Sequence, residues 1–326
     1  MVRNMNGKII KSSAFDPWFN LALEEHLLNN IEEKQIKLFL WQNNKSVLIG
    51  RNQNSRRICR YEKLENEGGK LARRVSGGGA VYNDPGTLNF SFLMDTNSFR
   101  PEHYLRVILR AIQSLGIRAQ LSGDDDLIVG EKKFSGNVYY HGQGVSLLHG
   151  TIFVNIDFNK MLNYIKFSKK DDYIRSRVVN LTEINGNKVD IDLVVQSLVD
   201  SFNEIYGGDN NIYEVEPQKE CPEKLYKKHS SSKWCYGPEP ECDVSFGNRF
   251  QWGDIELCLK LKAGKIESAV IFSNTLEADL MLKIAEMIKG VPFRLDALIK
   301  RLDLLLGSRE DRKIVNDIKI WLRSKI

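Results

Sequence analysis

The sequence predicts an α+β protein: a domain built on a mixed β-sheet, followed by a smaller α/β unit. Hydrophobic periods of 2 and 3.6 interleave through the first half, the pattern of strands and helices that share one sheet. Near the middle, residues 208–245 lose that period and collect Pro217, Pro222, Pro238 and Pro240, as a connecting segment does. At 326 residues the chain is also long for one domain. The expected organisation is a domain over 1–245, with 208–245 as its connecting segment, and an accessory domain over 246–326.

A short strand is expected over Gly7–Lys11. Asp16 then caps a helix and Pro17 suits its first turn, with Phe19, Leu21, Ala22, Leu23, Leu27 and Leu28 among Glu24 and Glu25. Two short strands, Lys37–Trp41 and Ser46–Gly50, join through Asn43-Asn44. Ala80–Tyr82 and Leu88–Met94 read as strands around a Pro85-Gly86 turn. Tyr104–Leu115 is an amphipathic helix that Gly116 ends. After the connecting segment, strands are expected near Phe250–Leu261 and Lys265–Phe272. Helices follow over Leu276–Lys289, Pro292–Leu306 and Asp311–Ser324.

Three runs carry the chemistry. Arg73-Arg74-Val75-Ser76-Gly77-Gly78-Gly79-Ala80-Val81-Tyr82 sets two guanidinium groups before three glycines. Glycine lets a backbone approach a ligand closely and present successive N–H donors as an anion nest, and arginine adds a fixed charged fork. The same run also suits a glycine-rich hairpin with its arginines in solvent. Gly123-Asp124-Asp125-Asp126-Leu127-Ile128-Val129 leads through Gly130-Glu131 into Lys132-Lys133-Phe134-Ser135-Gly136-Asn137, a hairpin with carboxylates at one end and lysines beyond. Carboxylates there suit Mg²⁺, and a lysine suits an acidic substrate. The alternation of Gly150-Thr151-Ile152-Phe153-Val154-Asn155 marks a further strand with His149 at its start.

These runs resemble the lipoate–protein ligase family. RRVSGGGAVYND (73–84), KKFSGN (132–137) and HGTIFVNID (149–157) stand in the family's order, with supporting likeness in FNLALEE (19–25), VLIGRNQN (47–54) and RSRVVNL (175–181). The resemblance implies a mixed-sheet catalytic domain of the biotin/lipoate ligase type, and the unit after 246 is similar to the C-terminal accessory domain of the larger bacterial ligases. It implies ATP-dependent activation of lipoate, with octanoate as a second candidate substrate, to an acyl-adenylate. Transfer follows to a lysine on lipoyl domains of 2-oxo-acid dehydrogenase complexes or the glycine cleavage H protein.

On that resemblance Lys133 is the catalytic lysine. Arg74, Ser76, Gly77, Gly78, Gly79, Ala80, Val81, Tyr82, Asn89, Asp126, Asn137, His149 and Thr151 hold the nucleotide and adenylate. Arg51, Asn52 and Gln53 line the lipoate pocket, and Arg175 and Arg177 lie in an adenylate-covering loop. His149 reads equally as a hydrogen-bonded structural histidine, and Arg175 and Arg177 equally as surface charges. Mg²⁺ is implied by ATP chemistry, without an assignable ligand set.

The chain departs from the family at Asn83, usually histidine, and at Thr87, usually asparagine. It departs again at Gly123-Asp124-Asp125-Asp126-Leu127, where the family has Gly-Arg-Asn-Asp-Leu. The acidic loop suggests weakened activation, so a lipoyltransferase fed with preformed lipoyl-adenylate is an alternative, as is a non-catalytic lipoate-binding protein. Octanoyltransferases need a cysteine acyl-enzyme, and no cysteine lies between Cys59 and Cys221. Five cysteines without a CxxC suggest neither a disulfide framework nor a zinc site, so reduced thiols and a cytoplasmic location are expected. No run approaches the roughly twenty apolar residues that cross a bilayer. The net charge of +5 lies mostly beyond Phe246, where 15 Lys/Arg face 11 Asp/Glu, so no basic stripe points to nucleic acid.

Overall fold

The computed structural model describes residues 5–123, 126–142, 144–167, 171–184, 188–207, 211–305 and 307–326. The run begins β1 (Asn6–Ser12), α1 (Pro17–Asn29), β2 (Gln35–Trp41), β3 (Ser46–Ile49), α2 (Ser55–Ile58), α3 (Tyr61–Asn66) and β4 (Lys70–Arg73). It continues β5 (Val81–Asn83), β6 (Thr87–Asp95), α4 (Pro101–Ser114), β7 (Ala119–Ser122), β8 (Asp126–Val129), β9 (Lys132–Gly142) and β10 (Val145–Phe153). Then come α5 (Phe158–Tyr164), α6 (Asp171–Ser176), α7 (Leu181–Ile184), α8 (Ile191–Tyr206), β11 (Ile212–Val215), α9 (Glu223–His229) and α10 (Ser232–Tyr236). The chain closes with β12 (Val244–Phe250), β13 (Gly253–Lys262), β14 (Lys265–Ser273), α11 (Ala278–Ile288), α12 (Leu295–Leu302) and α13 (Arg309–Leu322). Two compact units result. The first is Met1–Ile49, Ser55–Val75 and Ala80–Cys235; the second is Gly50–Asn54, Ser76–Gly79 and Tyr236–Ile326.

In the first unit, strands pair in the order β11-β1-β2-β6-β10-β9-β8-β7, parallel at β11-β1-β2 and antiparallel beyond, as a mixed sheet. Strand alternation gives this sheet two different faces. Ile36, Leu38 and Leu40 of β2 and Phe90, Phe92 and Met94 of β6 pack with α4 and α8 in one core. The intervening Phe39, Trp41, Leu93 and Leu147 pack with α1 in another. Helix ends follow local chemistry. Asp16 accepts from Trp18 N and Asp190 from Leu193 N, while Gly116 and Gly207 take φ of 79° and 74° at or just beyond the ends of α4 and α8. A smaller sheet, β4-β3-β5, leads into the glycine run.

The second unit is an antiparallel sheet, β12-β13-β14, whose Leu257, Leu259 and Ile271 pack with Met281, Ile284, Leu298, Ile314 and Trp321 of α11 to α13. Its first two strands form a hairpin where the sequence suggested one strand near Phe250–Leu261. Gly253, at φ 143°, begins the return strand.

Other expectations need correction. Within 208–245, β11 extends the sheet beside β1, and α9 and α10 form helices of seven and five residues. Elements this short show little periodicity and are fixed by tertiary contacts: Glu25 binds both Lys228 Nζ (2.6 Å) and His229 Nε2 (2.7 Å). His149 sits in the middle of β10, which starts at Val145. Cys242 and Cys258 form a disulfide, which the odd cysteine count did not suggest; antiparallel pairing of the β12 region with β13 brings them together. Asp124 and Asp125 lie outside the described residues, as do 208–210 of the connecting segment.

The Phe92 ring, fully buried against Phe90, Tyr104 and Phe202, anchors the core beneath α4 and α8. Phe92→Ala should cost about 3–5 kcal/mol of unfolding free energy, read by chemical denaturation.

Candidate active site

Lys133 stands one residue into β9, just after a register shift in which Ile128 pairs with Lys133 and Asp126 with Gly136. Its ammonium lies 2.6 Å from Asp126 Oδ1, both side chains partly exposed. A Cβ on Gly136 would come within 2.5 Å of Lys133 Nζ. The lysine therefore uses the space that glycine leaves. Its backbone is held as well: Lys133 N donates to Arg177 O (2.8 Å), and Val179 N donates to Lys133 O (3.0 Å). The Arg175–Arg177 segment is thus stitched to the lysine. Arg175 itself bonds Glu183 at 3.0 Å and lies over the Phe158 ring.

Sheet register builds the rest of this face. Gly136, Thr151, Asn89 and Trp41 stand side by side across β9, β10, β6 and β2, and Val138, His149, Ser91 and Phe39 form the next row. Directly paired residues share a face, and α1 covers this one. From α1, the buried Glu24 accepts from His149 Nδ1 (2.8 Å) and Ser91 Oγ (2.5 Å), and Trp41 Nε1 donates to Ser91 Oγ at 3.2 Å. Burial pushes the Glu24 carboxyl up, but His149, Ser91 and Arg74 together outweigh it and hold the carboxyl below its usual range. The carboxylate in turn fixes the orientation of the His149 ring.

Arg74 is the buried cation of the group. Its backbone N–H donates to Ile49 O, and one terminal N–H donates to Leu48 O (3.0 Å). Burial lowers its pKa to about 10, opposed by Glu24, so it remains charged at neutral pH. Its neighbour Arg73 donates to Trp234 O (2.8 Å) and Cys235 O (3.1 Å), while Trp234 Nε1 donates to Arg73 O at 2.8 Å. Ala80 and Val81 are half-buried, and Tyr82 is buried against Tyr164. Asn83 is absorbed into an amide chain from Asn20 through Asn43. Asn137 faces the other way. Its Oδ1 and the Phe90 ring both crowd the position of a Gly150 Cβ, on the α4/α8 face.

Arg51, Asn52, Gln53 and Ser76–Gly79 belong to the second unit. There the glycines admit protein backbone: Gly78 N donates to Thr275 O (3.2 Å), and a Cβ on Gly77 would lie 2.0 Å from that oxygen. Asn52 Nδ2 donates to Ala278 O (2.6 Å) and Ser273 N to Asn52 O (2.9 Å). Gly79 keeps open space where a side chain would be. Glu24, Ser91, Trp41 and Gly136 were missed as site residues by sequence reading. The signal for Glu24 was an acidic residue within the apolar Leu21–Leu28 run.

Residues 16–203 match the lipoyl protein ligase A/B catalytic domain, and residues 239–320 match the bacterial lipoate protein ligase C-terminus. The chain belongs to the lipoyl protein ligase A/B family. Lipoate-protein ligase A of Psychrobacter cryohalolentis is 33% identical over 98% of each chain. The Plasmodium falciparum LipL1 structure in complex with lipoate superposes with a TM-score of 0.86 at 28% identity, covering 97% of this chain and 99% of that one. The bipartite ligase of Thermoplasma acidophilum, described with its E2 lipoyl domain, gives 0.64 at 25% identity, covering 74% and 100%. A lipoate-protein ligase A bound with ATP gives 0.61 at 26% identity, covering 72% and 99%.

Two further features bear on this ligase fold. Among the described residues no three His, Cys, Asp or Glu groups converge as a metal site, and Asp126 is engaged by Lys133. Mg²⁺ brought by ATP would draw its ligands from the nucleotide phosphates as well as from protein groups. Cys59 is buried and its thiol is pushed up to about 12 by burial, which makes it unsuited to act as a nucleophile.

Glu24 has a folded pKa below its unfolded value of 4.5. Its stabilisation is complete above that value and is lost as pH falls through the lowered one. Glu24→Gln should lower Tm at pH 7, and the gap to the unaltered protein should close as the melts are taken down in pH through the lowered value.

Proposed function

We propose that this chain is a lipoate–protein ligase that activates lipoate with ATP and transfers the lipoyl group to a lysine of an apo lipoyl domain. One observation carries the reading: the Lys133 ammonium lies over Gly136 on the face where Glu24 orients His149. Relatives solved with lipoate and with ATP, and one described with its E2 lipoyl domain, support the substrates. The acceptors are lipoyl domains of 2-oxo-acid dehydrogenase complexes and the glycine cleavage H protein.

In the first step a carboxylate oxygen of lipoate bonds to the α-phosphorus of ATP as pyrophosphate leaves. In the second, the acceptor amine bonds to the acyl carbon, gives up a proton, and AMP leaves. A carboxylate and a triphosphate repel each other, so the site must supply fixed positive charge. Lys133 suits that work: its compact ammonium can touch two oxygens, and Asp126 holds it in place until substrate oxygens compete for it. Arg74 contributes a second buried charge, balanced by Glu24.

A transferase that takes preformed lipoyl-adenylate is favoured by the consecutive Asp124, Asp125 and Asp126 in the sequence, carboxylates that would repel substrate anions. Mass spectrometry of an apo lipoyl domain separates the readings. Lipoylation from lipoate, ATP and Mg²⁺, abolished by Lys133→Ala, supports the ligase. Modification from lipoyl-adenylate alone makes it the transferase, and none from either donor removes both.

Gly136→Ala should leave Tm nearly unchanged, because only the flexible end of Lys133 must move. It should slow turnover about tenfold or more, because displacing a catalytic group by an ångström is costly.

A further inference from the structure

We infer that the basic surface formed by α2, α3 and the end of α5 is the docking face for the acidic side of the acceptor domain. This rests on the reading of the chain as a lysine-lipoylating enzyme. Arg56, Arg57, Arg60, Lys63 and Lys166 are all exposed there, against Glu62, Glu65 and Glu67. A cavity of about 330 Å³ opens among Arg56, Arg60, Tyr61, Glu62, Lys63 and Lys166.

The patch is rigid. Arg60 Nη1 donates to Leu162 O, Asn163 O and Ile165 O at 3.1–3.3 Å, neutralising the carbonyl end of α5. Lys166 Nζ donates to Arg56 O at 2.7 Å, in the short α2. Backbone bonds seam the two segments, Arg60 N to Tyr164 O (2.7 Å) and Lys166 N to Ile58 O (2.8 Å), around the bridge between Cys59 and Ile165. Arg60 and Lys166 are therefore held in place by the fold itself. Charges fixed in advance lose little freedom when a partner arrives.

The patch also belongs to the body that carries the reacting lysine. Tyr164, whose carbonyl takes Arg60 N–H, sets its ring tilted and 5.6 Å from that of Tyr82, at the end of the nucleotide run. The chain beyond Lys166 leads into the segment whose Arg177 O accepts Lys133 N–H. A macromolecule seated here is held against the unit that contains Lys133 and Asp126. The site must receive a folded domain bearing the acceptor lysine, and an acidic face on that domain complements the patch. Interfacial charge of this kind acts on encounter and orientation, so it should appear in the acceptor KM.

The test measures transfer from preformed lipoyl-adenylate to an apo lipoyl domain by the full chain and by R56E/R57E, at about 50 and 300 mM NaCl. Adenylate formation from lipoate and ATP is followed separately by pyrophosphate release. We expect the variant's acceptor KM to rise about tenfold or more at low salt, with the gap narrowing at high salt. Adenylate formation should stay within twofold. An acceptor KM within twofold of the unaltered protein overturns the proposal, and so does an equal loss of adenylate formation. Loss of retention on heparin with an unchanged acceptor KM overturns it in favour of nucleic acid. Should R56E/R57E not fold, R57Q and the unaltered protein decide: an acceptor KM insensitive to salt in the latter overturns the proposal. Unaltered protein that uses the adenylate but not lipoate with ATP removes the activation step alone, and the KM comparison still decides docking. Unaltered protein that uses neither donor overturns both.

Discussion

The constraint on which the site depends is the burial of Glu24, a full negative charge on the buried face of α1. Such a charge persists only when it is paired and hydrogen-bonded. Here three elements meet that requirement: β6 through Ser91, β10 through His149, and the residue after β4 through Arg74. The pairing fixes how α1 sits on the sheet, orients the His149 ring, and places Arg74 ahead of the glycine run. Removing the Glu24 carboxylate would leave the buried Arg74 without its compensating charge. The stability of this face and its chemistry are therefore the same set of contacts.

Lys133 is arranged on a different principle. It is partly exposed, its ammonium is paired with a partly exposed carboxylate, and its position is set by an absence, the missing side chain of Gly136. The backbone around it is held by Arg177 and Val179, from a segment distant in sequence. A flexible charge on a fixed backbone can exchange Asp126 for substrate oxygens without disturbing the sheet.

The glycine run shows how one local feature serves two ends. Its sequence suits close approach to anions, yet in the second unit Gly77 and Gly78 give their space and one N–H to Thr275, while Gly79 stays open. Glycine permits close approach by any backbone or ligand, and composition does not specify which. The same ambiguity explains why Asn137 faces the α4/α8 side although its neighbours in sequence line the site: alternation along β9 places it over Gly150.

Local chemistry alone determined much of this protein. Asp16 and Pro17 start α1, Gly116 ends α4, apolar runs mark β2 and β6, and the motif order points to the family and to Lys133. Each of these signals lies within a few residues, where propensity and period act. Tertiary structure decided the rest. The partners of Glu24, the stitch from Lys133 to Arg177, the docking of α9 onto Glu25, and the disulfide between Cys242 and Cys258 join residues with no local relation. Such contacts arise only when strand register and helix packing bring distant chain together, so no spacing in the sequence encodes them directly.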